Sequence, residues 1–226
     1  RLINGGDITL FSPSDVPGLY EAFFADQDEF KRLYERAERN TRLRKKTIKA
    51  SALFSAFMEE RKNTGRIYLM NVDHANDHSS FKADVAPIKQ SNLCCEINLP
   101  TKPLKSLEDP EGEIALCTLS AINWGLVRNP SEFEKPCALA VRGLDALLSY
   151  QNYPVESARN STMKRRPLGI GIINLAYFLA KNNTTYSNPN LELVDQYAEA
   201  WSYYLIKASA DLAVEQGACP GTPETK

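Results

Sequence analysis

The run Ser91-Asn92-Leu93-Cys94-Cys95-Glu96-Ile97-Asn98-Leu99 carries more functional information than any other stretch of this chain. It places an amide, a thiol and a carboxylate at positions 92, 94 and 96. Alternate side chains of an extended segment share one face, so this spacing predicts that Asn92, Cys94 and Glu96 converge and that Cys95 faces away. A hydrogen-bonding amide, a sulfur able to do redox or nucleophilic chemistry and a potential base are enough for an active site. The same spacing equally describes a partly buried strand whose cysteine is a small hydrophobe, because free cysteines are among the most buried residues. Spacing alone leaves both readings open.

The flanking sequence predicts a helix-rich α/β protein. Residues 26–39 read as a charged helix with Phe30, Leu33, Tyr34 and Ala37 on one face. A second helix is expected over 47–62, where Ala50, Leu53, Phe54, Phe57 and Met58 recur at helical spacing and Gly65 suits the C-terminal cap. Residues 67–72 read as a strand and 73–90 as a polar loop. Beyond the opening run, 101–112 read as a loop and 114–119 as a buried strand containing Cys117. A helix over 136–150 tolerates Pro136 in its first turn. Residues 168–181 read as a buried helix. A long helix over 191–216 carries the stripe Val194, Tyr197, Trp201, Tyr204, Leu205, Ala208 and Leu212, ended by Gly217 and Pro220.

Composition narrows the function classes. The 226 residues are 43% hydrophobic and 24% charged, with a net charge of −1, so no electrostatic argument favours nucleic acid or an anionic membrane. No apolar run approaches the roughly 18–20 residues that span a bilayer. The N-terminal Arg1-Leu2-Ile3-Asn4-Gly5-Gly6 has no signal-peptide features, so a cytoplasmic location is expected. The five cysteines are an odd number, which argues against a secreted disulfide framework and for reduced thiols, some with a redox role.

Weaker motifs have simpler readings. Gly169-x-Gly171 beside Lys164-Arg165-Arg166 resembles a phosphate cradle but lacks the third glycine, so close packing of a buried helix is expected there. His74 and His78, flanked by Asp73 and Asp77, have metal-ligand spacing if helical, and Cys94 or Cys95 would complete a four-ligand set on paper. The Asn and Asp content suits a turn better. Arg42, Arg44, Lys45, Lys46 and Lys49 lack interleaved aromatics and read as a solvated face. Cys137 and Cys219 have no evident partners.

Several motifs together carry a family resemblance. Ser91-Asn92-Leu93-Cys94-x-Glu96 followed by Leu99-Pro100-Thr101-Lys102-Pro103-Leu104 resembles the catalytic segment of class I ribonucleotide reductase large subunits, of the bacterial and phage aerobic type. Glu113-Ile114-Ala115-Leu116-Cys117-Thr118-Leu119-Ser120 resembles the same family. So do Asp7–Pro13, Thr64–Tyr68, Asn71–His74 and Leu168–Gly171. The resemblance covers essentially the whole chain. It implies part of a ten-stranded α/β barrel with a central finger loop, residues 1–226 being a partial catalytic barrel domain incomplete at both ends.

By that resemblance Cys94 would carry a thiyl radical, Glu96 would be the general base and Asn92 would orient the substrate hydroxyls. Cys117 would be one of two redox-active thiols, its partner lying outside this chain. The resemblance implies a ribonucleoside diphosphate substrate, a large-subunit homodimer and reduction by thioredoxin or glutaredoxin. No cofactor is expected in this segment. The radical would come from a metal-containing small (beta) subunit, and ATP or dNTP effectors would bind elsewhere. As an isolated chain it is expected to be inactive. The alternative is a non-catalytic thiol- or zinc-binding interaction module built on His74, His78, Cys94 and Cys95.

Overall fold

Strand β1 (Asp7–Phe11) pairs antiparallel with β2 (Lys45–Lys49), from Asp7 opposite Lys49 to Phe11 opposite Lys45. These strands belong to the first of two compact units, Arg1–Leu99 and Pro100–Lys226, into which a computed structural model describing residues 1–226 divides.

In the first unit, helix α1 (Leu19–Ala25) leads into α2 (Gln27–Arg39). Asp26 caps α2 by accepting hydrogen bonds from the amides of Asp28 and Glu29, which satisfies donors that the first helical turn leaves free. The expected stripe of Phe30, Leu33, Tyr34 and Ala37 packs against Val16, Leu19 and Phe11. Tyr34 then ties α2 to β1, its hydroxyl accepting from the Thr9 amide at 2.8 Å and donating to the Thr9 carbonyl at 2.7 Å. Helix α3 (Ala50–Thr64) ends at Gly65, whose φ of 66° is the left-handed cap conformation glycine adopts without strain.

Two local expectations fail in this unit. The helix expected from residue 47 starts at Ala50, because Lys45–Lys49 pairs with β1; apolar periodicity cannot report a partner nearly forty residues away. Residues 67–72 form no strand. They lead instead into the short helix α4 (Val72–Asp77), so part of the expected polar loop is helical. A strand needs a ladder partner, and this apolar run finds none.

In the second unit, β3 (Leu119–Asn123) and β4 (Gly169–Ile173) form a parallel pair, in register from Leu119–Gly169 to Asn123–Ile173. Helices α5 (Glu134–Tyr150) and α6 (Glu156–Arg165) connect them, as parallel strands require a long crossover. Helix α7 (Leu175–Lys181) follows β4, and α8 (Leu191–Gln216) spans the range its periodicity predicts and packs on α5. The core gathers Trp124, Phe133, Cys137, Phe178 and Tyr197, and Trp124 and Phe178 meet edge to face at 5.4 Å between centroids.

The helix expected over 168–181 is a strand followed by a shorter helix. Gly169 and Gly171 weaken helix and the intervening isoleucines favour strand. Asn174, at φ 64°, breaks the chain direction before α7. The glycine does serve close packing, in a strand: a Cβ on Gly169 would lie 2.3 Å from Leu119 Cδ2. The strand expected over 114–119 begins only at Leu119. Helices predominate beside two small sheets, one antiparallel and one parallel, and the barrel is not closed by these strands. Ile173 and Leu119 stay 52% and 56% exposed, although parallel sheets are normally covered on both faces.

Candidate functional site

The opening run is a turn rather than a strand. The Cys95 amide donates to the Asn92 carbonyl at 3.1 Å, closing residues 92–95, and Cys95 takes a φ of 62°. A non-glycine residue in this region carries local strain of a kind often found at functional turns. The side chain of Asn92 spans the loop. Its Nδ2 donates to Glu96 Oε1 at 2.6 Å, and its Oδ1 accepts from the Ile97 amide at 3.1 Å. Ser91 adds a second tie, its hydroxyl donating to the Ile97 carbonyl at 3.0 Å.

Asn92 and Glu96 therefore do meet, by chain reversal instead of strand alternation. Cys94 sits in the turn between them and is exposed, so the buried-strand reading of this cysteine is corrected. An asparagine that accepts from one backbone amide and donates to a carboxylate across the turn is the hydrogen-bonding pattern that favours a reversal over an extended run. Alternation of side chains along a strand does not encode such a bond.

Cys117 belongs to the second unit. It is exposed in irregular chain immediately before β3, not in a buried strand. The neighbouring Thr118 carbonyl accepts from the Gly169 amide at 3.0 Å. Four residues earlier, Glu113 is buried in an ion-pair cluster that the sequence did not signal. Its Oε2 lies 2.5 Å from Arg165 Nη1 and its Oε1 3.1 Å from Lys164 Nζ. Burial pushes the Glu113 carboxyl up, and the Arg165 and Lys164 hydrogen bonds outweigh that, so it stays below the usual glutamate range. Lys164 and Arg165 also hold Glu224, at 2.5 and 2.9 Å, while Arg166 holds Asp145 at 2.6 Å. The basic trio beside Gly169 is thus engaged with carboxylates and forms no phosphate cradle. A carboxylate at 113 and cations at 164–165 are ordinary residues in sequence; only the fold reveals that they meet.

The remaining candidates separate cleanly. His74 lies on α4 and His78 caps it, with ring centroids 6.3 Å apart, so the helical spacing is realised where a turn was expected. No group of three or more His, Cys, Asp or Glu side chains is gathered to hold a metal ion. Lys45, Lys46 and Lys49 lie on β2, where Lys49 pairs with Asp7 at 2.7 Å. Cys137 is fully buried, its thiol pushed up to about 11 by burial, which suits a packing role. No helix is long and apolar enough to cross a membrane.

The helix-rich α/β organisation of the chain is consistent with the family comparison. The family model described as ribonucleotide reductase, barrel domain, matches residues 1–226, and the chain belongs to this family. Among curated relatives, the ribonucleoside-diphosphate reductase subunit alpha of Haemophilus influenzae is 59% identical over 226 residues, covering all of this chain and 30% of that protein. The reductase 1 subunit alpha of Salmonella typhimurium is 60% identical over the same 226 residues. The subunit of Enterobacteria phage T4 is 45% identical over 216 residues, covering 93% of this chain and 28% of its own length. The chain thus spans about 30% of the length of the bacterial relatives it matches.

Proposed function

We propose that this chain supplies the radical-bearing part of a ribonucleoside-diphosphate reductase large subunit, converting ribonucleoside diphosphates to deoxyribonucleoside diphosphates for DNA synthesis. One observation carries the reading: inside a family match that runs through residues 1–226, Asn92 hydrogen-bonds Glu96 across the turn that contains Cys94. In this reading a thiyl radical on Cys94 removes the 3′ hydrogen of the substrate. Glu96 takes the 3′ hydroxyl proton and gives it back to the 3′ oxygen at the end of the cycle, and Asn92 holds the sugar hydroxyls. The 2′ hydroxyl leaves as water. Cys117 and a second thiol outside this chain supply the two reducing equivalents and close as a disulfide, and the hydrogen on Cys94 returns to the 3′ carbon. The radical reaches Cys94 from a metal-containing small subunit, and thioredoxin or glutaredoxin reopens the disulfide. The full subunit acts as a homodimer in the cytoplasm under ATP and dNTP control.

Support from the residues is specific. Cys94 stands between Asn92 and Glu96 in the chain, whereas Cys137 is packed in the core with no polar group of this kind beside it in sequence. A carboxylate already accepting one amide hydrogen bond is oriented, as a positioned base must be. The test uses a full-length Salmonella subunit in which this chain replaces the matching segment, assayed with its small subunit for deoxynucleotide formation. Turnover that disappears in Cys94→Ser supports the reading. Turnover unaffected by Cys94→Ser sinks it.

A further inference from the structure

The geometry points to Glu113 as a positioning residue for the Cys117 thiol, acting through Arg165 and Lys164; this rests on the reading of Cys117 as a reducing thiol. Glu113 stands six residues before the first residue of β3, and Arg165 four residues before the first residue of β4. Their ion pair therefore joins the two segments that approach the parallel strands from the amino-terminal side. Backbone contacts reinforce the tie. Glu113 exchanges hydrogen bonds with Lys102 at 3.1 and 3.2 Å, and the Ile114 amide donates to the Ser157 carbonyl at 3.1 Å. Beyond Cys117, Thr118 is held by Gly169 at 3.0 Å. Cys117 thus lies on a span of a few residues pinned at both ends. Only residues 114–117 separate Glu113 from Thr118, so a displacement of the Glu113 end is transmitted to the thiol over a short stretch of backbone.

The cluster is built for orientation. The Glu113 and Arg165 side chains are 6% and 4% exposed. Arg165 uses Nη1 for Glu113 and Nε for Glu224, so its planar fork fixes two carboxylates in one geometry, which a lysine cannot reproduce. Buried ion pairs are weak stabilisers relative to apolar packing, and in some proteins they fix a unique geometry. Reduction of a substrate carbon by a thiol demands such geometry, because a misplacement of about 1 Å can cost roughly 100-fold in rate.

The test places Glu113→Gln, Glu113→Asp, Arg165→Lys and Cys117→Ser separately in the full-length Salmonella chimaera. Steady-state kcat and KM and single-turnover deoxynucleotide yield from prereduced enzyme are normalised to folded protein. Positioning predicts that Arg165→Lys and Glu113→Gln lower kcat tenfold or more with KM for the nucleoside diphosphate within twofold, and that Glu113→Asp recovers part of the loss. If Glu113→Gln does not fold, Arg165→Lys, which keeps the charge and loses only the fork, decides. A kcat per folded molecule equal to the parent, or a loss confined to KM, overturns the inference while leaving the role of Cys117 intact. Undiminished turnover in Cys117→Ser overturns the role of Cys117, and the inference with it.

Discussion

The side chain of Asn92 holds Glu96 across the turn that contains Cys94, with Nδ2 2.6 Å from Glu96 Oε1. Because its Oδ1 simultaneously accepts from the Ile97 amide, one amide group determines both the shape of the turn and the orientation of the carboxylate.

Replacing Asn92 therefore damages two things at once. Asn92→Ala removes a hydrogen bond to a charged group, an interaction of roughly 1.5–3 kcal/mol, and is expected to lower kcat/KM of the full-length reductase by at least about tenfold. Asn92→Asp keeps an acceptor for Ile97 but sets a second carboxylate against Glu96, and is expected to fall at least as far. Steady-state kinetics on both variants check this; activity within twofold of the parent would remove Asn92 from the site.

Thiol labelling at neutral pH distinguishes the cysteines. Cys94 and Cys117 are exposed, whereas Cys137 is buried with its thiol pushed up to about 11. Iodoacetamide at about pH 7.5 is expected to modify Cys94 and Cys117 in the folded protein and to reach Cys137 only in denaturant, since the thiolate is the nucleophile. Peptide mass spectrometry reads the sites, and early labelling of Cys137 would contradict the packing of α5 against α8.

The Glu113 cluster has a pH signature. Its carboxyl titrates below the usual glutamate value, so the stability it contributes is complete above the unfolded pKa of about 4.3 and is lost as pH falls from there through the folded value. Glu113→Gln leaves Arg165 buried with one carboxylate fewer and is expected to cost about 3 kcal/mol at neutral pH. The gap between parent and variant should shrink below about pH 4.3 in urea-unfolding series. A gap that stays constant into acid would show that the charge is not what matters.

Two glycines predict opposite outcomes for the same change. A Cβ on Gly125 would stand 2.4 Å from Asn174 Nδ2 and 2.7 Å from Tyr177 Cδ1, so Gly125→Ala disturbs the Asn123–Asn174 hydrogen bond, and overpacking of this kind costs about 1–3 kcal/mol. Gly143 lies inside α5 with open space around it, and Gly143→Ala should stabilise by about 0.5–1 kcal/mol. Thermal unfolding midpoints moving in the same direction for both would count against this packing.

What could be read locally was set by local physics. The stripe of α2, the cap at Gly65 and the full length of α8 follow from side chains three and four residues apart and from terminal groups that must find partners nearby. The residues of the candidate site were also legible, because a thiol between an amide and a carboxylate is conspicuous in any chain.

Long-range pairing decided the rest. Residues 45–49 and 169–173 became strands because partners at 7–11 and 119–123 completed their ladders, while 67–71 lacked one and stayed irregular. Backbone hydrogen bonding between distant segments leaves no trace in local periodicity. The meeting of Glu113 with Arg165, fifty-two residues apart, is of the same kind. The turn at 92–95 stands between the two: its contacts are local, but the choice between alternation and reversal fell to the Asn92 hydrogen bonds. The amino-acid order alone thus supplied the long helices α2, α5 and α8 and the reactive groups, and tertiary contacts determined which segments became strands and how the reactive groups are held.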